Sequence, residues 1–138
     1  MRRTIVAFFL SLCFIQAYAK NPPEALYNAK TAILVNGGAE AKDFDKFREY
    51  LEKWGRFEFV KERKDADIII RLIAKEGSLN QRTPDGGVMP TMTVIINYYE
   101  ITSATEDESV LWSDETPPAV SKDTKILVIR LQQKLKKK

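Results

Sequence analysis

The amino-acid sequence predicts an α+β fold, a two-layer sandwich in which two helices cover one face of a mixed, antiparallel-rich sheet. Two segments, residues 41–54 and the stretch from a capping Ser121 to the terminal lysines, carry apolar side chains at spacings of three and four, the period of a helix with one buried face. The runs before and between them are short and rich in β-branched residues, which favour strands. Their order along residues 30–138 is β-α-β-β-β-α, and this length fits a single domain.

The first strand is predicted at residues 31–36, "TAILVN", and a helix follows it. Gly55 ends this helix, because the position after a helix favours a residue that adopts a left-handed backbone. The buried stripe of the helix consists of Phe44, Phe47, Leu51 and Trp54. The connecting Asn36-Gly37-Gly38 could hold an anion at the helix N-terminus. Its spacing matches neither phosphate-binding fingerprint, which favours a plain turn.

Three more strands are predicted between the helix and the acidic segment at residues 103–108. Residues 56–62, "RFEFVKE", alternate aromatic with charged side chains, as a half-buried strand does. Residues 68–74, "IIIRLIA", and residues 91–102, "TMTVIINYYEIT", are rich in β-branched and aromatic residues. Residues 75–90 contain three glycines and two prolines without a period, and they predict a long connection.

The acidic segment at residues 103–108, "SATEDE", joins a strand that ends at Thr102 to one that restarts at Ser109. A calcium loop alternates its acidic ligands and places a glycine at the sharp bend. Glu106, Asp107 and Glu108 are consecutive, and no glycine follows them. The segment therefore predicts a hairpin loop and no metal site.

The last helix follows Pro117-Pro118, and its apolar face includes Val128 and Leu131. Its end carries the lysine cluster Lys134, Lys136, Lys137 and Lys138. Such a cluster could attract an anionic membrane or wall polymer, at roughly 1 kcal/mol per lysine. Lysines also complement the negative end of the helix dipole, and we favour this structural interpretation.

The first nineteen residues have the pattern of a secretory signal. Arg2 and Arg3 precede an apolar run over residues 5–15, and Ala17-Tyr18-Ala19 supplies small residues where a signal peptidase reads. The apolar run is shorter than the roughly 20 residues that cross a bilayer. We expect cleavage before Lys20, an extended lead-in over residues 20–29 and no membrane span afterwards. The expected location is periplasmic or extracellular.

Composition excludes several chemistries. The chain has no histidine, and its one cysteine, Cys13, lies in the signal, so thiolate zinc sites, cysteine nucleophiles and histidine triads are excluded. Without residues 1–19 the net charge falls from +3 to +1, and no basic stripe interleaved with aromatic residues indicates nucleic acid. No cofactor or catalytic residue is predicted. Carboxylates are the remaining acid-base groups, with candidates Glu49, Glu52, Glu58 and Asp67.

Two strands lack the alternation of a sheet that has one solvated face. The second sheet face, opposite the helices, is predicted to carry Ile69, Arg71, Ile73, Ile95, Asn97 and Tyr99. An antiparallel sheet with a solvated face normally reads polar on that side, and large apolar patches mark contact surfaces. The second face is therefore expected to meet a protein partner, an envelope component or a second copy of the chain, as in a homodimer. Cover by residues 75–90 or by the lead-in is the alternative.

The order of segments resembles the periplasmic domains of the TolB amino-terminal and CsgG-like type. The likeness spans most of residues 30–136 and is carried by "TAILVN", "LEKWGRFEFV", "KDADIIIRL" and "VIINYYEITSATEDESVLWSDE". Arg71-Leu72 stands where a glycine often falls, and Glu106-Asp107 replaces the usual Thr-Gly turn. The resemblance implies a domain that binds envelope components or other proteins.

The sequence thus predicts an exported, non-enzymatic binding module that contacts a protein or an envelope component. Two other functions stay open: a small carboxylate-dependent hydrolase, and a peripheral binder that uses the terminal lysines. A pocket with two buried carboxylates would favour the hydrolase.

Overall fold

The structure is a computed structural model that describes residues 22–79, 82–87, 92–116 and 123–136. The predicted signal, Lys20, Lys137 and Lys138 lie outside these ranges. The helices in the described ranges are α1 Glu24–Asn28, α2 Ala41–Trp54, α3 Thr124–Lys136 and a 3-10 turn at Arg63–Asp65. The strands are β1 Thr31–Asn36, β2 Glu58–Phe59, β3 Ile68–Leu79, β4 Met92–Ser103 and β5 Val110–Glu115.

The five strands form one mixed sheet in the order β2-β1-β3-β4-β5. β1 pairs in parallel with β2 and β3, whereas β4 pairs antiparallel with both β3 and β5. The predicted α+β class is confirmed. The predicted order is confirmed only roughly, because the second arm of the last hairpin is a strand of its own, β5, and a short helix precedes β1.

The helices share one face of the sheet, since their buried side chains belong to a single apolar core. Leu26 of α1, Phe47 and Leu51 of α2, and Leu127 and Leu131 of α3 are each fully buried in this cluster. The sheet contributes Ile68, Ile70, Leu72, Tyr99 and Ile101. A β-bulge between Ile101 and Thr102 lets the adjacent Leu111 and Trp112 both pack against the core.

The predicted extended lead-in at residues 20–29 is wrong for its described part, because residues 24–28 form α1. A proline restricts the residue before it and leaves the following residues free to become helical, and Pro23 takes the N-cap position with φ −67°. Leu26 then reaches the core with no exposed surface. The Tyr27 hydroxyl donates to the Lys134 carbonyl at 3.2 Å, which ties α1 to the end of α3.

The turn between β1 and α2 uses its own polar groups. Asn36 Oδ1 accepts hydrogen bonds from the N–H groups of Gly38 at 3.1 Å and Ala39 at 2.8 Å. These donors are therefore not available to an anion, and the plain turn accounts for this segment. A Cβ at Gly37 would lie 2.9 Å from the Ile73 side chain and 3.2 Å from the Leu72 carbonyl, so close contact with β3 requires glycine there.

Asp67 joins the start of β1 to the start of β3. Its Oδ2 accepts the N–H groups of Lys30 at 2.8 Å and Thr31 at 3.1 Å, and its own N–H donates to Thr31 Oγ1 at 3.0 Å. The hydrogen bonds from the Lys30 and Thr31 backbones hold the pKa of the Asp67 carboxyl below its ordinary value. The negative charge of Asp67 therefore contributes stability in the folded state.

Replacing Asp67 with asparagine should lower the free energy of unfolding at pH 7 by about 0.5 to 1.5 kcal/mol, near the low end because the side chain is exposed. A depressed folded pKa gives stability that is present above the unfolded pKa, about 3.9, and lost as the pH falls through the folded value. In the Asp67→Asn variant, the free energy of unfolding should therefore fall less between pH 7 and pH 2.5 than it does in the wild-type protein. Urea unfolding from pH 7 to pH 2.5 measures it, with Asp65→Asn, an exposed neighbour, as the control. An equal acid slope in both variants would contradict the role of Asp67.

Candidate binding surface

The register between β3 and β4 decides which side chains share a face. Ile70 lies opposite Ile101 and Leu72 lies opposite Tyr99, so the even-numbered residues of β3 face the helices together with the odd-numbered residues of β4. The other face therefore combines odd-numbered residues of β3 with even-numbered residues of β4. Ile69, Arg71 and Ile73 lie on this other face, as the alternation along β3 predicts.

The predicted placement of Ile95, Asn97 and Tyr99 on the second face is wrong. Their register partners, Glu76, Ala74 and Leu72, belong to the helix side of β3. Tyr99 has no exposed surface and Asn97 has 1%. β4 is apolar on both sides, so its sequence does not show which alternate residues face the helices. The register with β3 decides this.

We call the sheet surface opposite the helices the open face, because the core helices all lie on the other side. It carries two rows of mainly apolar side chains from the central strands and one row from β1. The members described on β1, β3 and β4 are Ile33, Val35, Ile69, Arg71, Ile73, Lys75, Met92, Val94, Ile96, Tyr98, Glu100 and Thr102. Ile69 and Ile96 are only 4% and 6% exposed, yet neither belongs to the main core cluster. Ile73, Val94 and Tyr98 are half-buried.

An ion cluster lies on the open face near the loop between β4 and β5. Arg71 donates to Thr102 Oγ1 at 3.2 Å and lies 3.3 Å from the Glu108 carboxylate, which also pairs with Arg63 at 2.9 Å. The Arg63 guanidinium further donates to the carbonyls of Ala104 and Thr105. Arg71 therefore interrupts the apolar surface, as predicted, with a charge that Glu108 compensates. The sequence pattern gave no indication that Arg63, 45 positions before Glu108, would reach the hairpin loop.

The acidic hairpin loop is held by its own hydroxyl groups. Thr105 Oγ1 lies 2.7 Å from Ser103 Oγ and donates to the Asp107 carboxylate. Glu108 adopts a positive φ of 43°, so its side chain turns back toward the two arginines. In the part of the chain that the structure describes, no three acidic, histidine or cysteine side chains come together as metal ligands would.

A buried polar pair lies on the helix side. The Asn97 amide donates to Asp43 Oδ2 at 3.2 Å, and both residues are buried. The backbone carbonyl of Asn97 accepts two hydrogen bonds from Thr116, one from its N–H at 2.9 Å and one from its hydroxyl at 3.0 Å. This pair connects the first turn of α2 to the middle of β4 and, through Thr116, to the end of β5. The sequence predicts that Asn97 interrupts the apolar surface of the second sheet face. In the structure Asn97 is instead buried on the helix side, where it binds Asp43.

The carboxylates proposed from the sequence occupy solvated positions. Glu49 pairs with Lys53 at 2.8 Å, Glu52 and Glu58 are exposed, and Asp67 accepts the backbone donors at the start of β1. Burial raises the pKa of a further carboxyl group, Asp114, while its ion pair with Arg130 at 2.9 Å acts in the opposite direction. Each of these acids has its own structural partner or faces solvent.

Tyr99 lies at the centre of an aromatic group on the helix side. Its ring stacks on Phe47 with centroids 6.2 Å apart, and its hydroxyl accepts the indole N–H of Trp112 at 3.0 Å. Burial raises the pKa of the Tyr99 hydroxyl well above its ordinary value. This group therefore keeps its proton and works as a packing and hydrogen-bonding element.

The described lysines of the terminal cluster differ in their surroundings. The Lys134 ammonium lies 5.8 Å from the centroid of the Trp112 ring, while Lys136 is exposed in the last turn of α3. A shallow groove of about 210 Å³ separates α2 from α3 elsewhere and is lined by Tyr50, Lys53, Trp54, Lys125, Val128, Ile129 and Gln132. The cation-π contact gives Lys134 a structural position over Trp112.

Comparisons with known proteins assign no family to this chain. No family model matches the chain, and no curated protein matches it. A similar solved structure is the NMR structure of uncharacterised lipoprotein B from Nitrosomonas europaea, with 14% identity, 78% of this chain and 73% of that chain covered, and a TM-score of 0.39. Among the described residues, no helix is both long and apolar enough to span a membrane. The resemblance to the TolB amino-terminal and CsgG-like domains stays a prediction.

Proposed function

We propose that the processed chain is an exported, non-enzymatic binding module that contacts a protein or another component of the cell envelope through the open face. The secretory pattern of residues 1–19 supports the exported location. The observation that carries the binding function is the row of half-buried apolar side chains, Ile73, Val94 and Tyr98, on the sheet face opposite every core helix. A solvated face would carry polar side chains at these positions.

The open face has the composition of a contact surface. Most of it is aliphatic and aromatic, and charged side chains on it or beside it form ion pairs, Arg71 with Glu108 and, next to Tyr98, Lys75 with Glu115. Interfaces combine an apolar centre with a polar rim in the same way. Four carboxylates have structural partners: Asp43 binds Asn97, Asp114 binds Arg130, Glu49 binds Lys53, and Asp67 accepts backbone N–H groups. The structure therefore favours binding over acid-base catalysis.

Capture from an envelope fraction tests this function. Ile73→Asp and Tyr98→Asp place a charge on the open face and should reduce the captured partner at least about tenfold, since a buried unpaired charge is costly. Ile129→Asp is the matched control, because Ile129 is 39% exposed on α3, on the opposite side of the sheet. The readout is quantitative mass spectrometry of proteins and lipids held by each bait at equal folded concentration.

Two results would contradict the proposal. One is equal capture by the open-face variants and by Ile129→Asp, which would place binding elsewhere. The other is release of the whole captured set by high salt alone, because salt screens exposed charges and leaves apolar contacts in place. That result would favour the terminal lysines as the binding element.

A further inference from the structure

The β3–β4 pair extends beyond the rest of the sheet. β1 ends with Asn36 opposite Leu72, and β5 ends with Glu115 opposite Tyr98. The register of β3 with β4 continues past both points until Leu79 lies opposite Met92. Residues 75–79 and 92–96 therefore form a two-stranded ribbon, and none of the other described strands pairs with either of its edges.

The backbone groups on the β4 edge of this ribbon follow from the alternation of an antiparallel strand. Thr116 donates its N–H to the Asn97 carbonyl and Ser103 donates its N–H to the Ser109 carbonyl, so odd-numbered residues of β4 point toward β5. The N–H and C=O groups of Thr93 and Ile95 consequently point to the same side, past the end of β5. The sequence continues from Thr116 with two prolines, which lack the N–H that a ladder needs.

The side chains of this edge lack the usual protection against strand pairing. Natural edge strands carry charges, prolines or bulges that prevent it. The sequence has no charged residue between Asp85 and Glu100, and residues 92–96 are "MTVII". Met92 is 55% exposed and Ile95 is 40% exposed. The opposite edge, on β3, carries Lys75 and Glu76.

We propose that residues 92–96 pair with the same residues of a second copy of the chain, antiparallel and centred on Val94. In this register Thr93 lies opposite Ile95 of the second copy and Ile95 lies opposite its Thr93. The two free backbone positions of each copy are then satisfied reciprocally, and four main-chain hydrogen bonds form. Val94 lies opposite its own counterpart, and Met92 lies opposite Ile96.

Self-pairing fits this edge better than pairing with an unrelated strand. Thr93 and Ile95 lie symmetrically on either side of Val94, so two copies of this edge can pair about a two-fold axis. Such an interface uses the same edge of both copies and therefore stops at a dimer. No like charges meet, since the segment is uncharged. The axis is perpendicular to the sheet, so the open faces of both copies lie side by side on one continuous surface. Five residues per copy form much less contact than the roughly 1,200 Å² of a stable interface, and the dimer should be weak and concentration-dependent.

Opposite charges at one position provide the test, because Val94 is expected to face itself. Sedimentation equilibrium of the wild-type protein should show a monomer–dimer equilibrium. Val94→Lys and Val94→Glu should each weaken it at least about tenfold through like charges placed directly opposite each other. An equimolar mixture of the two variants should recover dimers, and these should be mixed dimers. Ser78→Lys and Ser78→Glu are the matched controls, because Ser78 is exposed on the other strand of the ribbon.

A cross-link checks the register without relying on charge. In a Cys13→Ser background, Val94→Cys should form a disulfide-linked dimer under mild oxidation, whereas Ser78→Cys at the same concentration should not. A wild-type protein that stays monomeric up to about 1 mM overturns the proposal. So does a pair of Val94 variants that dimerise as well alone as when mixed. Loss of the ribbon in a variant would appear as loss of amide protection on residues 75–79, and recovery in the mixture shows that the ribbon is intact.

Discussion

Replacing Tyr99 with alanine should lower the free energy of unfolding by about 3 to 5 kcal/mol, the range for large aromatic side chains in cores. Tyr99 is fully buried, stacks on Phe47 and accepts the indole hydrogen bond of Trp112. Its loss leaves a cavity between α2 and the sheet and an indole N–H without its partner. Urea unfolding followed by circular dichroism measures the change.

Two variants separate the contributions and test the assignment of faces. Tyr99→Phe keeps the ring and removes the acceptor for Trp112, so about 0.5 to 1.5 kcal/mol should be lost. Tyr98→Ala removes a half-buried ring from the open face, where about 1 kcal/mol is expected. A larger loss for Tyr98→Ala than for Tyr99→Ala would mean that the phase of β4 is the reverse of the one described.

Replacing Leu26 with alanine should cost about 2 to 5 kcal/mol, although it lies within a stretch whose two prolines predict an extended segment. The reason is burial: Leu26 has no exposed surface and belongs to the same buried core cluster as residues of α2 and α3. The free energy of unfolding in urea measures the effect, and the slope of the transition should stay unchanged.

Asn28→Ala is the control, because Asn28 is exposed on the same short helix. Its effect should stay within about 0.5 kcal/mol, the usual size for surface positions. Equal effects of the two substitutions would show that α1 contributes nothing to the core.

The helix α2 and most of β1, β3 and β4 could be predicted because each has a local signal. The prediction was wrong for residues 75–79, which continue β3 where a connection was expected, and β2 is limited to Glu58–Phe59. The spacing of Phe44, Phe47 and Leu51 repeats with the helical period, and Gly55 ends the helix with φ +69°. The density of β-branched residues marks β3 and β4. These signals depend only on neighbouring residues, which is why the α+β class is visible in the sequence.

The composition of the open face could be predicted only in part, because it depends on pairing between distant residues. Ile69, Arg71 and Ile73 were placed correctly by the alternation along one strand. The side of the sheet on which Asn97 and Tyr99 lie depends on the register with β3. β4 is apolar on both faces, so its own sequence does not indicate which face is buried against the helices. The clamp of Arg63 on Glu108 also joins residues that only the fold brings together.

The short helix α1 shows a different limit. Its residues carry no long helical period, and a helix of five residues has little stability of its own in water. It is formed by tertiary contacts, through Leu26 in the core and Tyr27 on the Lys134 carbonyl. Local sequence signals do not report such contacts.

The bond between Tyr27 and Lys134 joins positions 107 residues apart. The first helix of the domain thus has no complete docking site until the last helix has been synthesised and folded against the sheet. Closing so long a loop carries a large entropic cost, so this step belongs late in folding, after the β3–β4 hairpin has formed from neighbouring residues. A nascent chain that lacks residues 124–138 would therefore lack the Lys134 carbonyl that binds Tyr27, and a ribosome-stalled fragment of that length should be more sensitive to protease at α1 than the finished chain.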